Sequence, residues 1–308
     1  MGKIEHLMYM PMTGLGLYGG HRGNRWLKNR IKIFKQFVLP SLKAQTSKNF
    51  ILWVSFRYED KGDPIIKEFR KFFDTVTEFR TVFTYSGICF WDDKYEDKIA
   101  HERLVLALHG AMGELLNTMK DPDEILMSIQ PSDDCYNSNM VEEVQKFFSE
   151  NEDVQAVGYK KGYVMDYLSK NLAEWNPVTN PPFYTIRFPK EIFVDPFSHM
   201  KYTGPYKSHE YVGDNLKMMP LEGRGFLVGT HGENISTIFK HPFTGQHFEG
   251  ETKEAILDNF GLEDVPQLEI RTSLRKIIMR KLPHGWQRKL RYWLGQRFYA
   301  RFYDFIRN

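Results

Sequence analysis

Residues 50–64 read FILWVSFRYEDKGDP, and this stretch decides the fold class. The first seven residues are an apolar run rich in β-forming side chains, which predicts a buried strand. A polar turn follows, and a helical pattern then covers residues 64–74. A strand that leads through a short turn into a helix is the repeating unit of an α/β domain.

The same alternation continues on both sides of this unit, which predicts a mostly parallel sheet flanked by helices. Beyond residue 170 the alternation stops, and we expect Pro-rich turns and short elements there. The segment 154–167 contains one or two more strands. The predicted strands are IEHLMYM (4–10), TVFTYSGICFW (81–91) and EILMSI (124–129), and the predicted helices cover 25–43, 99–119 and 139–149.

The composition is that of an ordinary globular protein. The chain has 308 residues, a formal net charge of +3, 42% hydrophobic residues and 26% charged residues, which excludes disorder, collagen and coiled coil. No apolar run approaches the roughly 18 residues that a membrane span needs. Two cysteines exclude a disulfide scaffold. The first ten residues have no long apolar core, so we expect no signal peptide and a cytoplasmic protein.

The charge is concentrated at the end of the chain. Residues 271–308 contain eleven Lys or Arg and one acid, whereas residues 1–270 carry a net charge of −7. Aromatic and aliphatic residues recur in this basic tail at steps of three and four, which predicts amphipathic helices. Such helices suit an anionic membrane surface. The alternatives are packing of the apolar stripe on the main domain and, with least support, nucleic-acid binding.

A glycine-rich stretch, Gly14-x-Gly16-x-x-Gly19, follows the first strand. A dinucleotide site would need a helix directly after it and an acid about 20 residues on, and both are missing. NAD binding is therefore not expected. The stretch is either a flexible loop or a loop over a nucleotide, with Arg22 beside the ligand.

Two adjacent acids, Asp133 and Asp134, follow the strand EILMSI. Ligands of α/β proteins bind at the carboxyl ends of strands, and paired carboxylates suit Mg²⁺ or Mn²⁺. A turn that caps the next helix explains the pattern equally well. Later in the chain, His231 follows an apolar strand and is either a further metal ligand or a surface turn residue.

The stretch TGPYKSHEYVGDN (203–215) contains Glu210 and Asp214. One of these carboxylates could act as a general base toward an acceptor hydroxyl. The alternative is a helix start with acids in its first turn.

Three segments between residue 22 and about residue 236 carry motifs that occur together in one order along the chain. They contain Arg22, Asn24, Trp26, Arg30 and Phe34, then Pro40, Ser41, Gln45, Thr46, Phe50 and Trp53 within LPSLKAQTSKNFILWVSF, then SIQPSDDCY (128–136) and FLVGTHGENIS (226–236). In this order, the segments resemble the rhamnosyltransferase family of nucleotide-sugar glycosyltransferases, whose fold is GT-A. The family's Arg and first Asp in the middle segment fall on Ile129 and Pro131 here.

This resemblance implies a set of site residues. It implies a divalent cation, Mn²⁺ or Mg²⁺, on Asp133 and Asp134 with His231 as a further ligand or diphosphate donor. Contacts with the nucleotide sugar are expected from Arg22, Arg30, Asp60 and Asp133, although Arg30 could equally form a structural ion pair. The base toward the acceptor hydroxyl is expected to be Glu210, with Asp214 as the second choice.

The function expected from these features is an inverting, metal-assisted transfer of a sugar, with rhamnose suggested by the family's name, to a glycan or lipid-linked acceptor. Residues 1–150 would bind the donor, residues 151–265 the acceptor, and 266–308 would form the basic helical tail, on the cytoplasmic face of a membrane. Pro131, in place of an acid, motivates an alternative: an inactive GT-A-like protein that binds a glycan or a partner. A third possibility is a nucleotidyltransferase or a dehydrogenase.

Overall fold

The computed structural model describes residues 3–13, 23–87, 105, 108–204, 209–232, 234, 239 and 251–270. Arg22 and the basic tail, residues 271–308, lie outside these ranges. None of the helices in the described ranges is both long and apolar enough to span a bilayer.

Nine strands form one sheet in the part of the chain that the structure describes. The strands are β1 (Ile4–Pro11), β2 (Ile51–Arg57), β3 (Arg80–Gly87), β4 (Glu124–Ile129), β5 (Cys135–Tyr136), β6 (Ala156–Asp166), β7 (Asn171–Trp175), β8 (Tyr184–Pro189) and β9 (Met218–Thr230). Their spatial order is β3-β2-β1-β4-β8-β6-β9-β5, and β7 pairs with the carboxyl-terminal half of β6, from Gly162 to Asp166.

The helices lie on both faces of this sheet. They are α1 (Asn24–Ile33), α2 (Leu39–Ala44), α3 (Pro64–Phe72), α4 (Met112–Thr118), α5 (Met140–Glu150), α6 (Lys190–Val194), α7 (Pro196–Thr203), α8 (Val212–Asn215) and α9 (Lys253–Asn259). One face of the sheet packs against α1 to α3 and α5, and the other packs against α4, α6 and α8.

The direction of the strands decides where the functional loops meet. Strands β1 to β4 are parallel to one another, and β8 is antiparallel to both β4 and β6. Strands β6 and β9 therefore point the same way as β1 to β4. Six of the nine strands share one direction, which confirms the predicted mostly parallel sheet flanked by helices. Their carboxyl ends lie on one side of the sheet, which we call the carboxyl edge.

The first half of the chain follows the predicted alternation closely. Strands β1 and β2 are buried on both faces, which explains why their sequences are continuous apolar runs. Strand β4 and helix α5 lie within one residue of their predicted bounds. The start of the predicted helix 99–119 and the end of the predicted strand 81–91 lie outside the described residues.

The expectation of short elements beyond residue 170 is wrong for β9, which has thirteen residues. Gly223 has a φ of 77°, and the register between β6 and β9 shifts near Tyr159 and Lys161. These irregularities let a strand that contains Pro220 and two further glycines continue, although the same residues predict turns in the sequence.

The helix predicted over residues 25–43 forms, with an irregular middle. The π-helical turn Phe34–Val38 separates α1 from α2, and Pro40, which has no amide hydrogen to donate, follows this turn. The Phe37 ring in the turn stacks on Tyr167, with centroids 3.6 Å apart and an interplanar angle of 7°. Through this contact, the π-helical turn packs against the end of β6.

We expect Phe37→Ala to lower the free energy of unfolding by about 3–5 kcal/mol, because it opens a cavity against Tyr167. Phe37 is fully buried, whereas Phe197 is 76% exposed. Phe197→Ala is therefore the matched control and should change stability by about 0.5 kcal/mol or less. Urea unfolding of both variants is the measurement, and equal effects would contradict this account of the core.

Candidate active site

Four of the predicted site residues meet at the carboxyl edge. Asp133 and Asp134 lie in the loop between β4 and β5, and His231 directly follows β9. Arg30 reaches them from α1. Residues that are about 100 and 200 positions apart in the chain thus form one cluster, which we call the Asp133 cluster.

Asp133 is the centre of the cluster. Its Oδ2 atom forms an ion pair with Nη1 of Arg30 and accepts a hydrogen bond from Nε2 of His231 over 2.9 Å. Arg30 and His231 are both 1% exposed. Burial alone would raise the pKa of Asp133, but the charges and hydrogen bonds of Arg30 and His231 outweigh it and lower that pKa to about 2. Asp133 is therefore a buried carboxylate anion.

Asp134 has a different environment. Its Oδ1 atom accepts a hydrogen bond from the backbone N–H of Gly229 over 2.9 Å. Burial, and next the negative charge of Asp133, raise the pKa of Asp134 well above its usual value. The pKa values of the two adjacent acids thus shift in opposite directions, because Arg30 and His231 stabilise the Asp133 anion whereas Asp134 is buried beside that anion.

Several residues that were not predicted hold the acidic loop in place. The Tyr167 hydroxyl donates to the backbone carbonyl of Asp133 over 2.9 Å. The Gln130 amide donates to the carbonyls of Pro131 and Asp134, both over 2.9 Å. A Cβ at Gly229 would lie 2.4 Å from the Asp133 carbonyl oxygen, so β9 can approach the loop only with glycine there. Side chains that bind backbone carbonyls have no local sequence pattern, which is why the sequence did not reveal them.

The segment after β9 has its own support. The backbone N–H of His231 donates to Oδ1 of Asn234 over 2.7 Å, and Nδ2 of Asn234 donates to the Gly229 carbonyl over 2.6 Å. Asn234 therefore closes a tight turn that holds the His231 backbone. This turn is a physical reason for the His-Gly-x-Asn pattern seen in the sequence.

Asp60 lies at the same edge, but its carboxylate is occupied. It follows β2 in the 3₁₀ turn Tyr58–Gly62 and is buried. It accepts hydrogen bonds from Thr13 and from Arg57, whose Nη2 atom is 2.9 Å away. These contacts join the ends of β1 and β2. The predicted contact of Asp60 with the nucleotide stays a prediction, and the observed role is structural.

Glu210 and Asp214 lie in a separate exposed segment, in the 3₁₀ turn His209–Tyr211 and in α8. Glu210 accepts a hydrogen bond from the Thr179 hydroxyl over 2.9 Å. Thr179 belongs to the loop before β8, and β8 begins beside the carboxyl end of β4. Both carboxylates precede the amino end of β9, whereas His231 of the Asp133 cluster follows the carboxyl end of that strand. Their roles stay predictions.

The atoms of the cluster do not fit a divalent ion bound by Asp133, Asp134 and His231 together. The Asp133 oxygen that faces His231 already contacts the Arg30 cation, and Nε2 of His231 carries the proton that Asp133 accepts. One oxygen of Asp134 is bound to the Gly229 amide. Within the described ranges, no group of three or more acids, His or Cys is arranged to hold a metal ion.

Comparison with known proteins supports the resemblance seen in the sequence. The model of the family described as "Putative rhamnosyl transferase" matches residues 22–85, which include Arg30 and Asp60. The predicted resemblance is confirmed over this segment, which is less than half of the chain. No curated protein has a significantly similar sequence.

Solved glycosyltransferase structures resemble the chain only distantly. S. aureus TarS 1–349 has a TM-score of 0.37 and 13% identity, over 73% of this chain and 60% of that one. The mannosyltransferase PcManGT from Pyrobaculum calidifontis, in complex with GDP-Man and Mn²⁺, has a TM-score of 0.40 and 7% identity, over 76% and 58%. Mouse xyloside xylosyltransferase 1 has a TM-score of 0.30 and 11% identity, over 51% and 53%. The chain thus spans less than two thirds of each.

We expect Asp133→Asn to lower the free energy of unfolding by about 3–5 kcal/mol, because it leaves the Arg30 charge buried without its anion. Asp134→Asn is the matched control. Its amide oxygen can still accept from Gly229, and burial and the Asp133 charge already disfavour the Asp134 anion, so the cost should be about 1 kcal/mol or less. Chemical unfolding near pH 7 measures both, and equal losses would contradict the opposite pKa shifts of Asp133 and Asp134.

The pH dependence provides a second readout of the Asp133 pKa. Because that pKa is lower in the folded state than its usual 3.8, the stabilisation is present above about pH 4 and disappears as the pH falls toward 2. The difference in stability between the wild type and Asp133→Asn should therefore shrink between pH 4 and pH 2. A constant difference over this range would exclude a depressed pKa at Asp133.

Proposed function

We propose that this chain is a glycosyltransferase that moves a sugar from a nucleoside diphosphate to a hydroxyl group of a glycan or lipid-linked acceptor. The observation that carries the proposal is the Asp133 cluster at the carboxyl edge, where α/β proteins bind their ligands. The family match supports it, because residues 22–85 contain the helix that brings Arg30 to this edge.

The two parts of the chain have different roles in this proposal. Residues 1–150 bind the donor, because the parallel strands β1 to β4 and the acidic loop lie there. Residues 151–265 contribute His231 and bind the acceptor. Rhamnose as the transferred sugar rests on the family description. The net charge of the basic tail supports contact with an anionic membrane surface on the cytoplasmic side.

The transfer would proceed by displacement with inversion at the anomeric carbon. The bond between that carbon and the diphosphate oxygen breaks, and its electron pair stays on the leaving diphosphate. The acceptor oxygen forms the new bond, and its proton passes to a carboxylate. Glu210 suits this last step, because it is exposed and the Thr179 hydroxyl orients it. Exposed apolar side chains beside it, Val178 and Tyr211, offer a surface for the acceptor.

Binding of the donor is the first test. We expect one of UDP, GDP and dTDP to raise the melting temperature of the full-length chain, since a ligand that binds only the folded state stabilises it. NAD⁺ should cause no shift. The panel is run with Mn²⁺, with Mg²⁺ and with EDTA, so that it also tests the predicted divalent cation. If no diphosphate binds, the transferase proposal fails, and the glycan-binding alternative suggested by Pro131 takes its place.

For the acceptor base, we expect Glu210→Gln to lower kcat by about 10²–10⁴-fold while the KM for the donor stays within about twofold, because the amide cannot take the proton. Asp214 lies four residues away and is also exposed, and Asp214→Asn should retain most of the activity. Initial rates with the matched sugar nucleotide measure both variants. If only Asp214→Asn is inactive, the base is Asp214.

A further inference from the structure

Arg30 is held from two sides. Its guanidinium carbon lies 5.2 Å from the centre of the Trp26 ring, and its Nη1 atom contacts Oδ2 of Asp133. The side chain is 1% exposed. A buried guanidinium between an aromatic ring and a carboxylate has little freedom to move, and it stays charged at every ordinary pH.

A divalent ion on Asp133 would compete with this guanidinium. Both are cations, and two positive charges beside one buried carboxylate repel each other strongly in a low-dielectric site. Arg30 cannot relieve the repulsion by losing a proton. The Asp133 cluster therefore has its own fixed cation, supplied by the chain.

We propose that Arg30 replaces a divalent ion at this site: it provides the positive charge beneath the donor diphosphate, and Asp133 and His231 act as its positioning residues. This inference rests on the proposed function and deepens it. It states that the chain binds a nucleoside diphosphate without an added metal ion.

The chemistry of the transfer gives this charge a use. When the bond between the anomeric carbon and the diphosphate breaks, the electron pair stays on the diphosphate, whose negative charge increases. A fixed cation close to that group lowers the energy of the transition state, because it needs no reorganisation as the charge develops. Asp133 holds Arg30 at the carboxyl edge, and the hydrogen bond of His231 fixes the carboxylate in turn.

The test is calorimetric titration of the full-length chain with UDP, GDP and dTDP, in excess EDTA and again with Mn²⁺. For the nucleotide that binds, the wild-type Kd should agree within about twofold between the two conditions. Arg30→Met should weaken binding in EDTA by about tenfold or more, because a charge-assisted contribution is lost. Mn²⁺ should then restore much of the binding, since the variant leaves Asp133 open to an ion.

Two further variants separate this role from a purely structural one. Arg30→Lys keeps the charge and should lose less affinity in EDTA than Arg30→Met. The double variant Arg30→Met/Asp133→Asn removes both buried charges and should recover folding that Arg30→Met loses. It should bind the nucleotide weakly in EDTA, and Mn²⁺ should not rescue it, because no carboxylate remains at position 133.

Each outcome decides the matter. Wild-type binding that requires Mn²⁺, or tight Mn²⁺ binding by the wild type alone in an electron paramagnetic resonance titration, would overturn the inference and leave the proposed transferase intact. Full nucleotide affinity of the double variant in EDTA would also overturn it. If no nucleotide binds under either condition, the proposed function fails and the inference fails with it.

Discussion

The buried ion pair between Arg30 and Asp133 is the constraint on which the rest of the site depends. A charge that is removed from water must have a partner close by, so α1 and the acidic loop are required to meet. His231 donates to the same oxygen and thereby adds the end of β9 to the pair. Three distant parts of the chain are held together because burying any of these groups without its partner would cost free energy.

The sheet makes this meeting possible. Parallel strands place their carboxyl ends on one side, and the antiparallel strand β8 between β4 and β6 returns β6 and β9 to the same direction. The end of β9 then approaches the acidic loop closely, which requires glycine at position 229. The fold thus explains why a cluster forms at the carboxyl edge, and the ion pair explains why its geometry is specific.

The sequence predicted much of the architecture and part of the site. The alternating strands and helices of the first half, the position of Asp133 and Asp134 after β4, and the position of His231 after β9 all follow from local patterns. The pairing of Arg30 with Asp133 does not follow from a local pattern, because an arginine on a helix can bind either a phosphate group or a carboxylate. The hydrogen bond from the Thr13 hydroxyl to the Asp60 carboxylate was also unpredictable, since the two residues are 47 positions apart in the chain.

By itself, the sequence determined the α/β class, the mostly parallel sheet and the identity of the polar residues at strand ends, because hydrophobic periodicity and turn residues act over short distances along the chain. Only the tertiary structure decided which of these residues touch. It also decided that Asp133 is an anion beside a guanidinium whereas its neighbour Asp134 has a raised pKa. Charge state depends on burial and on neighbours that are distant in sequence, and these exist only once the chain has folded.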